Sequence, residues 1–158
     1  MRLQRISKTI SEKITLEDVK TYANITGMGR DEELSSMLLS AICKVEDILN
    51  VSLSPNTLRL ITEGAVTRQR LYLLPVKTIV SCKDAVTGED VSYKEDCDKS
   101  QIFFSEPSDV VIEYTTEPLD INIQIYKHNV LEYCSALFDG VADNNVLGKI
   151  LSKIQNVL

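Results

Sequence analysis

Apolar residues recur along the chain with two different periods, and the switches between them divide it into helical ends and a β-rich middle. Thr15-Leu-Glu-Asp18 has the form of a capping box, and Ile14 and Val19 stand at the two positions of a hydrophobic staple, so a short helix is predicted from Thr15 to about Ala23. Gly27 and Gly29 break the chain there. Asp31, Glu32 and Glu33 then place negative charge where a helix N-terminus favours it. From Leu34 onward, Met37, Leu38, Ala41, Ile42, Val45, Ile48 and Leu49 recur at steps of three and four, lining one face of a helix of about five turns.

Between Val51 and Thr116 the texture changes to short β-branched and aromatic runs separated by Gly, Pro, Asp and Ser, which predicts antiparallel strands. They are placed near 57–63, 68–73, 77–83, 91–94, 101–104 and 109–116. Glu63-Gly64, Thr87-Gly88-Glu89-Asp90 and Glu106-Pro107-Ser108-Asp109 are the turn candidates.

Pro118 suits the first turn of a third helix, whose stripe is Leu119, Ile123, Tyr126, Val130, Cys134, Leu137 and Phe138, with Gly140 after its end. Ile121, Ile123 and Ile125 also alternate as a strand would, but the helical register persists for five turns and the alternation for barely six residues. Helix is the better fit. It leaves Ile121 and Ile125 off the main stripe, as a second apolar face suited to another subunit. A final amphipathic segment gathers Leu147, Ile150, Leu151, Ile154, Val157 and Leu158 opposite Lys149, Lys153 and Gln155. Two readings of it stay open: it folds back on the core, or it projects and buries Ile150, Ile154 and Leu158 against a partner.

The predicted class is therefore α+β: a helical bundle of two N-terminal and one to two C-terminal helices around a central region of short antiparallel strands. With 158 residues, one domain spanning 1–158 is expected, with 1–13 and 141–158 as candidate interaction arms. No apolar run reaches the roughly 18 residues of a spanning helix, so no membrane partner is expected. The start, through Lys13, has no apolar block like that of a secretory signal, which predicts an intracellular origin. Cys43, Cys82, Cys97 and Cys134 are then expected as four buried or semi-buried thiols.

Net charge is −6, and it is unevenly spread. Residues 1–83 hold 12 basic and 9 acidic side chains, residues 84–120 hold 2 and 11, and the remainder hold 3 and 3. The one concentrated field is negative and repels a nucleic-acid backbone, which argues against tight DNA binding by the chain alone.

Chemistry-bearing motifs are sparse. His128 is the only histidine, which excludes a two-histidine mechanism or a His-rich metal shell. It lies six residues before Cys134 and on another helix face, so a nucleophilic pair is disfavoured. Gly27-Met-Gly29 lacks a third glycine and joins two helices, so it reads as a turn. Residues Asp84 to Glu95 have the outline of a calcium loop, but Val86, Gly88 and Glu89 occupy positions that need two oxygen ligands and a glycine. A hairpin turn fits better. Arg59, Arg68 and Arg70 read either as strand-face partners for the carboxylates of 84–120 or as a small phosphate site. No catalytic residue, metal ligand or cofactor is expected.

Taken in order, several segments resemble the adaptor family of head-to-tail connector proteins of tailed bacteriophages. Ile14-Thr-Leu-Glu-Asp-Val-Lys20 is similar to that family's opening helix. Asp31-Glu-Glu-Leu34 with Met37-Leu-Leu-Ser-Ala41 is similar to its long second helix. Leu73-Leu-Pro75-Val76 with Ile79 and Val80 resembles its approach to the β region. Tyr93, Ile102 to Phe104 and Val110-Val-Ile-Glu-Tyr-Thr115 resemble later strands, and Pro118, Ile121 and the run through Tyr133 and Phe138 resemble the following helix. The resemblance covers residues 14–140. It departs at Thr115-Thr-Glu117, where a glycine-bearing turn is common, and at the basic start.

The resemblance implies a structural virion protein with no reaction to catalyse. Such a protein forms a ring, usually a dodecamer, on the portal vertex, joins the capsid to the next neck or tail protein and surrounds the DNA channel. Its partners would be copies of itself, the portal protein and a downstream neck or tail protein, with DNA only passing through. Its place would be the virion neck, after assembly in the host bacterial cytoplasm. Ile121, Ile125, Ile150, Ile154 and Leu158 are the candidate residues for the oligomer or portal interface. The competing reading is a small cytoplasmic interaction or regulatory domain without catalytic activity, which also explains the absent site but not the motif order.

Overall fold

The computed structural model describes residues 1–9, 11–141 and 144–155. The chain forms two compact units, each assembled from two stretches: Met1–Thr9 with Asn50–Leu119, and Ile10–Leu49 with Asp120–Leu158. The first is all strand and turn, and the second is all helix and turn among the described residues.

In the first unit, β1 (Arg2–Lys8), β2 (Asn56–Ile61), β7 (Val110–Thr116) and β4 (Val76–Asp84) form an antiparallel sheet in that order. A second antiparallel sheet runs β3 (Val66–Arg70), β6 (Gln101–Ser108), β5 (Lys94–Glu95). Along β2 and β7 the side chains alternate between buried and half-buried, the period-2 pattern of a sheet covered on one face. One apolar cluster draws from both sheets: Leu58, Leu60, Val76, Cys82, Ile102, Phe104, Val110, Ile112 and Tyr114, with Leu71 and Leu73 from the β3–β4 connection.

That connection explains where β3 ends. Leu73 adopts a left-handed conformation (φ 58°), which a strand cannot continue through, so the predicted strand to residue 73 stops at Arg70. Other partners satisfy its backbone. Leu71 N–H donates to Ser100 O, and Leu73 N–H donates to Asn50 Oδ1 at 2.9 Å. The fully buried Tyr114 hydroxyl accepts from Tyr72 N–H and donates to Tyr72 O, both at 3.2 Å. Burial pushes the Tyr114 phenol up to about 12.

In the second unit, α3 (Asp120–Phe138) packs against α1 (Leu16–Ala23), α2 (Asp31–Leu49) and α4 (Asn144–Gln155). The capping box forms as predicted. Asp18 N–H donates to Thr15 Oγ1, Thr15 N–H donates to Asp18 Oδ2 at 2.8 Å, and the staple pair Ile14 and Val19 is fully buried. Lys127 of α3 reaches the same cap, 2.8 Å from Asp18 Oδ2 and donating to Lys13 O. Burial pushes the Asp18 carboxyl up, but the bonds from Lys127 and Thr15 outweigh it and hold the group below its ordinary range. Lys20 of α1 pairs with Asp31 of α2 at 2.6 Å across the Gly27–Gly29 turn, where Gly27 adopts φ 89°.

Four expectations are corrected. Residues 2–8, read as part of a charged start and candidate interaction arm with no strand assigned, are the edge strand β1; its scarcity of apolar side chains gave no pattern, as is common for edges. Strand β6 runs on to Ser108 through Pro107, because the proline falls where the register with β3 slips between Val66 and Arg68 and no ladder donor is needed. Leu119 precedes α3 and is half exposed rather than in its stripe. Cys97 is exposed in the β5–β6 turn, whereas Cys82 and Cys134 are buried and Cys43 is intermediate.

Replacing Tyr114 with Phe strands the Tyr72 amide and carbonyl in the core and should cost about 1–3 kcal/mol in denaturant unfolding. Asp18→Asn should cost about 1 kcal/mol at neutral pH. Because the folded Asp18 pKa is depressed, its stabilisation is present above the ordinary carboxylate range and is lost as pH falls through the folded value. The gap between wild type and Asp18→Asn should therefore close below about pH 4, read as melting curves across pH.

Candidate interaction surface

Helix α3 carries an exposed apolar stripe. The helical repeat puts Ile121, Ile125 and His128 on one line, at i, i+4 and i+7, while Ile123, Val130, Leu131 and Cys134 turn to the interior. Ile121 and Ile125 are 55% and 42% exposed. Tyr22 of α1 meets the His128 ring edge-on, with centroids 5.4 Å apart, and is itself partly exposed. The stripe thus runs Ile121, Ile125, His128, Tyr22, apolar at one end and amphipathic at the other. Sequence reading missed Tyr22, because nothing local to residues 21–23 shows that α1 will lie beside α3.

The remaining candidate residues lie elsewhere. Ile150 is buried, 1% exposed, and so is Leu147, both on α4 where it meets α3. Ile150 therefore serves the core of its own unit. Ile154 falls within α4, and Leu158 lies outside the described residues.

Reaction chemistry finds little support. Cys134 is buried and its thiol is pushed up to about 11 by that burial, so it stays protonated, while His128 is largely exposed and 3.9 Å from Glu132. The two do not form a pair. Among the described residues no group of three His, Cys, Asp or Glu could hold a metal ion. The calcium-like stretch is a turn: Asp84 Oδ1 accepts from Val86 N–H and Thr87 N–H, and Gly88, at φ 73°, donates to Asp84 O. Among the described residues no helix is long and apolar enough to cross a membrane.

Of the three arginines, Arg59 alone pairs with an acid among the described residues, with Nη2 2.6 Å from Glu113 Oε1. Other acids of 84–120 are held in turns or pairs: Asp96 accepts from Gln101 N–H and Ser100 Oγ, and Glu117 lies 2.8 Å from Lys77.

No protein-family model matches the sequence. No curated protein matches it either. Solved structures do. A chain in the neck of a native gene transfer agent particle, computed with C12 symmetry, superposes with a TM-score of 0.65 at 16% identity, covering 98% of this chain and 94% of that one. A chain in the neck of the empty particle, computed with C6 symmetry, gives 0.66 at 16% identity over 91% and 87%. A chain of the virion of the native particle gives 0.66 at 17% identity over 88% and 84%. This chain shares their fold over nearly its whole length.

The exposures set an expectation for stability. Ile150→Ala should cost about 2–5 kcal/mol, whereas Ile121→Ala should stay within about 0.5 kcal/mol of wild type, both read from urea unfolding.

Proposed function

We propose that the protein is a structural virion component: a head-to-tail connector, or adaptor, that forms a ring on the portal vertex, joins the capsid to the neck or tail and surrounds the DNA channel. The observation that carries this reading is the fold shared with chains of gene transfer agent necks across 98% of this chain and 94% of the other. The motif order from Ile14 to Phe138 points to the same class independently. The C6 and C12 symmetries of those necks support a cyclic oligomer here, and twelve copies are the proposed number. In this reading the protein catalyses nothing, its partners are its own copies, the portal protein and the next neck or tail protein, and its place is the virion neck. Residues 1–158 act as one connector domain.

A ring repeats one heterologous contact, so a surface such as Ile121, Ile125 and Tyr22 meets a different surface of the next copy. An exposed apolar pair one turn apart contributes to such a contact without being needed for the fold. Native mass spectrometry of the protein, alone and mixed with its portal, should show a closed oligomer; twelve copies of the 17.7 kDa chain would weigh about 212 kDa. Ile121→Asp with Ile125→Asp should weaken assembly while leaving the melting temperature nearly unchanged. A wild-type chain that stays monomeric in the presence of portal would overturn the reading.

A further inference from the structure

The outer face of the three-stranded sheet carries a chemistry that the proposed function leaves unused. Strand register sets Arg68 and Lys94 directly opposite Phe103 from either side, and Arg70 opposite Gln101 one step along the same face. Phe103 is 39% exposed, and all three cations are exposed. A shallow groove of about 310 Å³ beside it is lined by Ser92, Tyr93, Lys94 and Ser105.

Among the described residues none of the three cations forms an ion pair, although the chain carries 23 acidic against 17 basic side chains. Two nearby acids, Asp96 and Asp98, are occupied by the turn they close around Ser100, and Glu95, next to Lys94, stands opposite Ile102 in the register and so falls on the other face of the strand. The unit meanwhile gathers carboxylates at one end of the four-stranded sheet. There β4 ends and β7 begins at the Asp84–Val110 pair, Ala85 N–H donates to Asp109 O, and Glu89 and Asp90 stand exposed in the β4–β5 turn. Their side chains take no part in the hydrogen bonds that hold the turn. Asp84, the Thr87 hydroxyl and backbone groups do that.

We infer that the Arg68–Phe103–Lys94 face receives the acidic β4–β5 turn, Glu89 and Asp90, of a second copy of this chain. The inference rests on the ring reading above and names one of its contacts. Two complementary surfaces of one unit, each meeting the other's counterpart on the next copy, make the head-to-tail contact that closes a ring. Opposite charges on them fix which surface meets which, while the exposed Phe103 ring beside them supplies apolar area to bury. A nucleic-acid strand is the other polyanion such a face suits. It is disfavoured by the net charge of −6 and by the small number of cations, since backbone binding scales with the phosphates neutralised.

Charge reversal on full-length protein tests this. Arg68→Glu with Arg70→Glu, and separately Glu89→Lys with Asp90→Lys, should each raise the concentration for half-assembly about tenfold or more, measured by native mass spectrometry with and without portal. The four-site combination should return it to within about threefold of wild type. Circular dichroism melting should be unchanged in all three, and the neutral Arg68→Gln with Arg70→Gln should shift assembly in the same direction if either reversed form folds poorly. Reversed variants that assemble like wild type would overturn this contact and leave the ring reading standing. A loss that the combination does not restore also overturns it. So does retention of a DNA duplex that Arg68→Glu with Arg70→Glu abolishes without affecting assembly, which would assign the face to nucleic acid. Wild-type protein that never assembles would overturn both the contact and the ring.

Discussion

Strand β7 is the element on which the first unit depends. It pairs with both β2 and β4, so the four-stranded sheet exists because residues 110–116 arrive between strands made some fifty and thirty residues earlier. Val110, Ile112 and Tyr114 put three fully buried side chains on one face of that central strand. At its middle the Tyr114 hydroxyl both donates to and accepts from the Tyr72 backbone, which ties the irregular β3–β4 connection to the sheet. A buried hydroxyl with both capacities used stabilises; the same group without partners would cost the full price of its desolvation.

The second unit shows the same economy at a helix end. Asp18 serves the α1 cap, the Thr15 hydroxyl and the Lys127 ammonium at once. Local capping chemistry and the long-range packing of α3 therefore meet in one carboxylate. Lys127 brings α3 to the N-terminal end of α1, and the Tyr22–His128 contact fixes the other end of that pairing. The pairing is what assembles the Ile121, Ile125, His128 and Tyr22 stripe from two distant segments.

Charge is used differently in the two units. Among helices it closes local contacts: Lys20 with Asp31, and Arg30 with Glu33 while its guanidinium lies 4.2 Å over the Phe138 ring. In the strand unit several carboxylates are spent in turns, and others stand free at one end of the sheet while Arg68, Arg70 and Lys94 stand free on one face. For a protein proposed to form a ring, separated unpaired charges of opposite sign are a means of orienting copies, since they favour one docking geometry over its alternatives.

The local chemistry of this protein was legible in its sequence. The capping box at Thr15, the staple of Ile14 and Val19, the five-turn stripe from Leu34 to Leu49 and the turn at Asp84–Asp90 all involve residues within a few positions of each other, where spacing alone determines geometry. The apolar pair Ile121 and Ile125 was legible for the same reason. Tertiary structure decided the rest. Strand β1 carries too few apolar residues to announce itself, and only pairing with β2 makes it a strand. Ile150 and the exposed pair Ile121 and Ile125 of α3 look alike in sequence. Which of them is covered depends on where α4 meets α3. Arg59 finds Glu113 while Arg68 and Arg70 find no acid, and Tyr22 joins α3, because strand register and helix packing bring together residues separated by tens of positions. Short-range periodicity carries no information at that range.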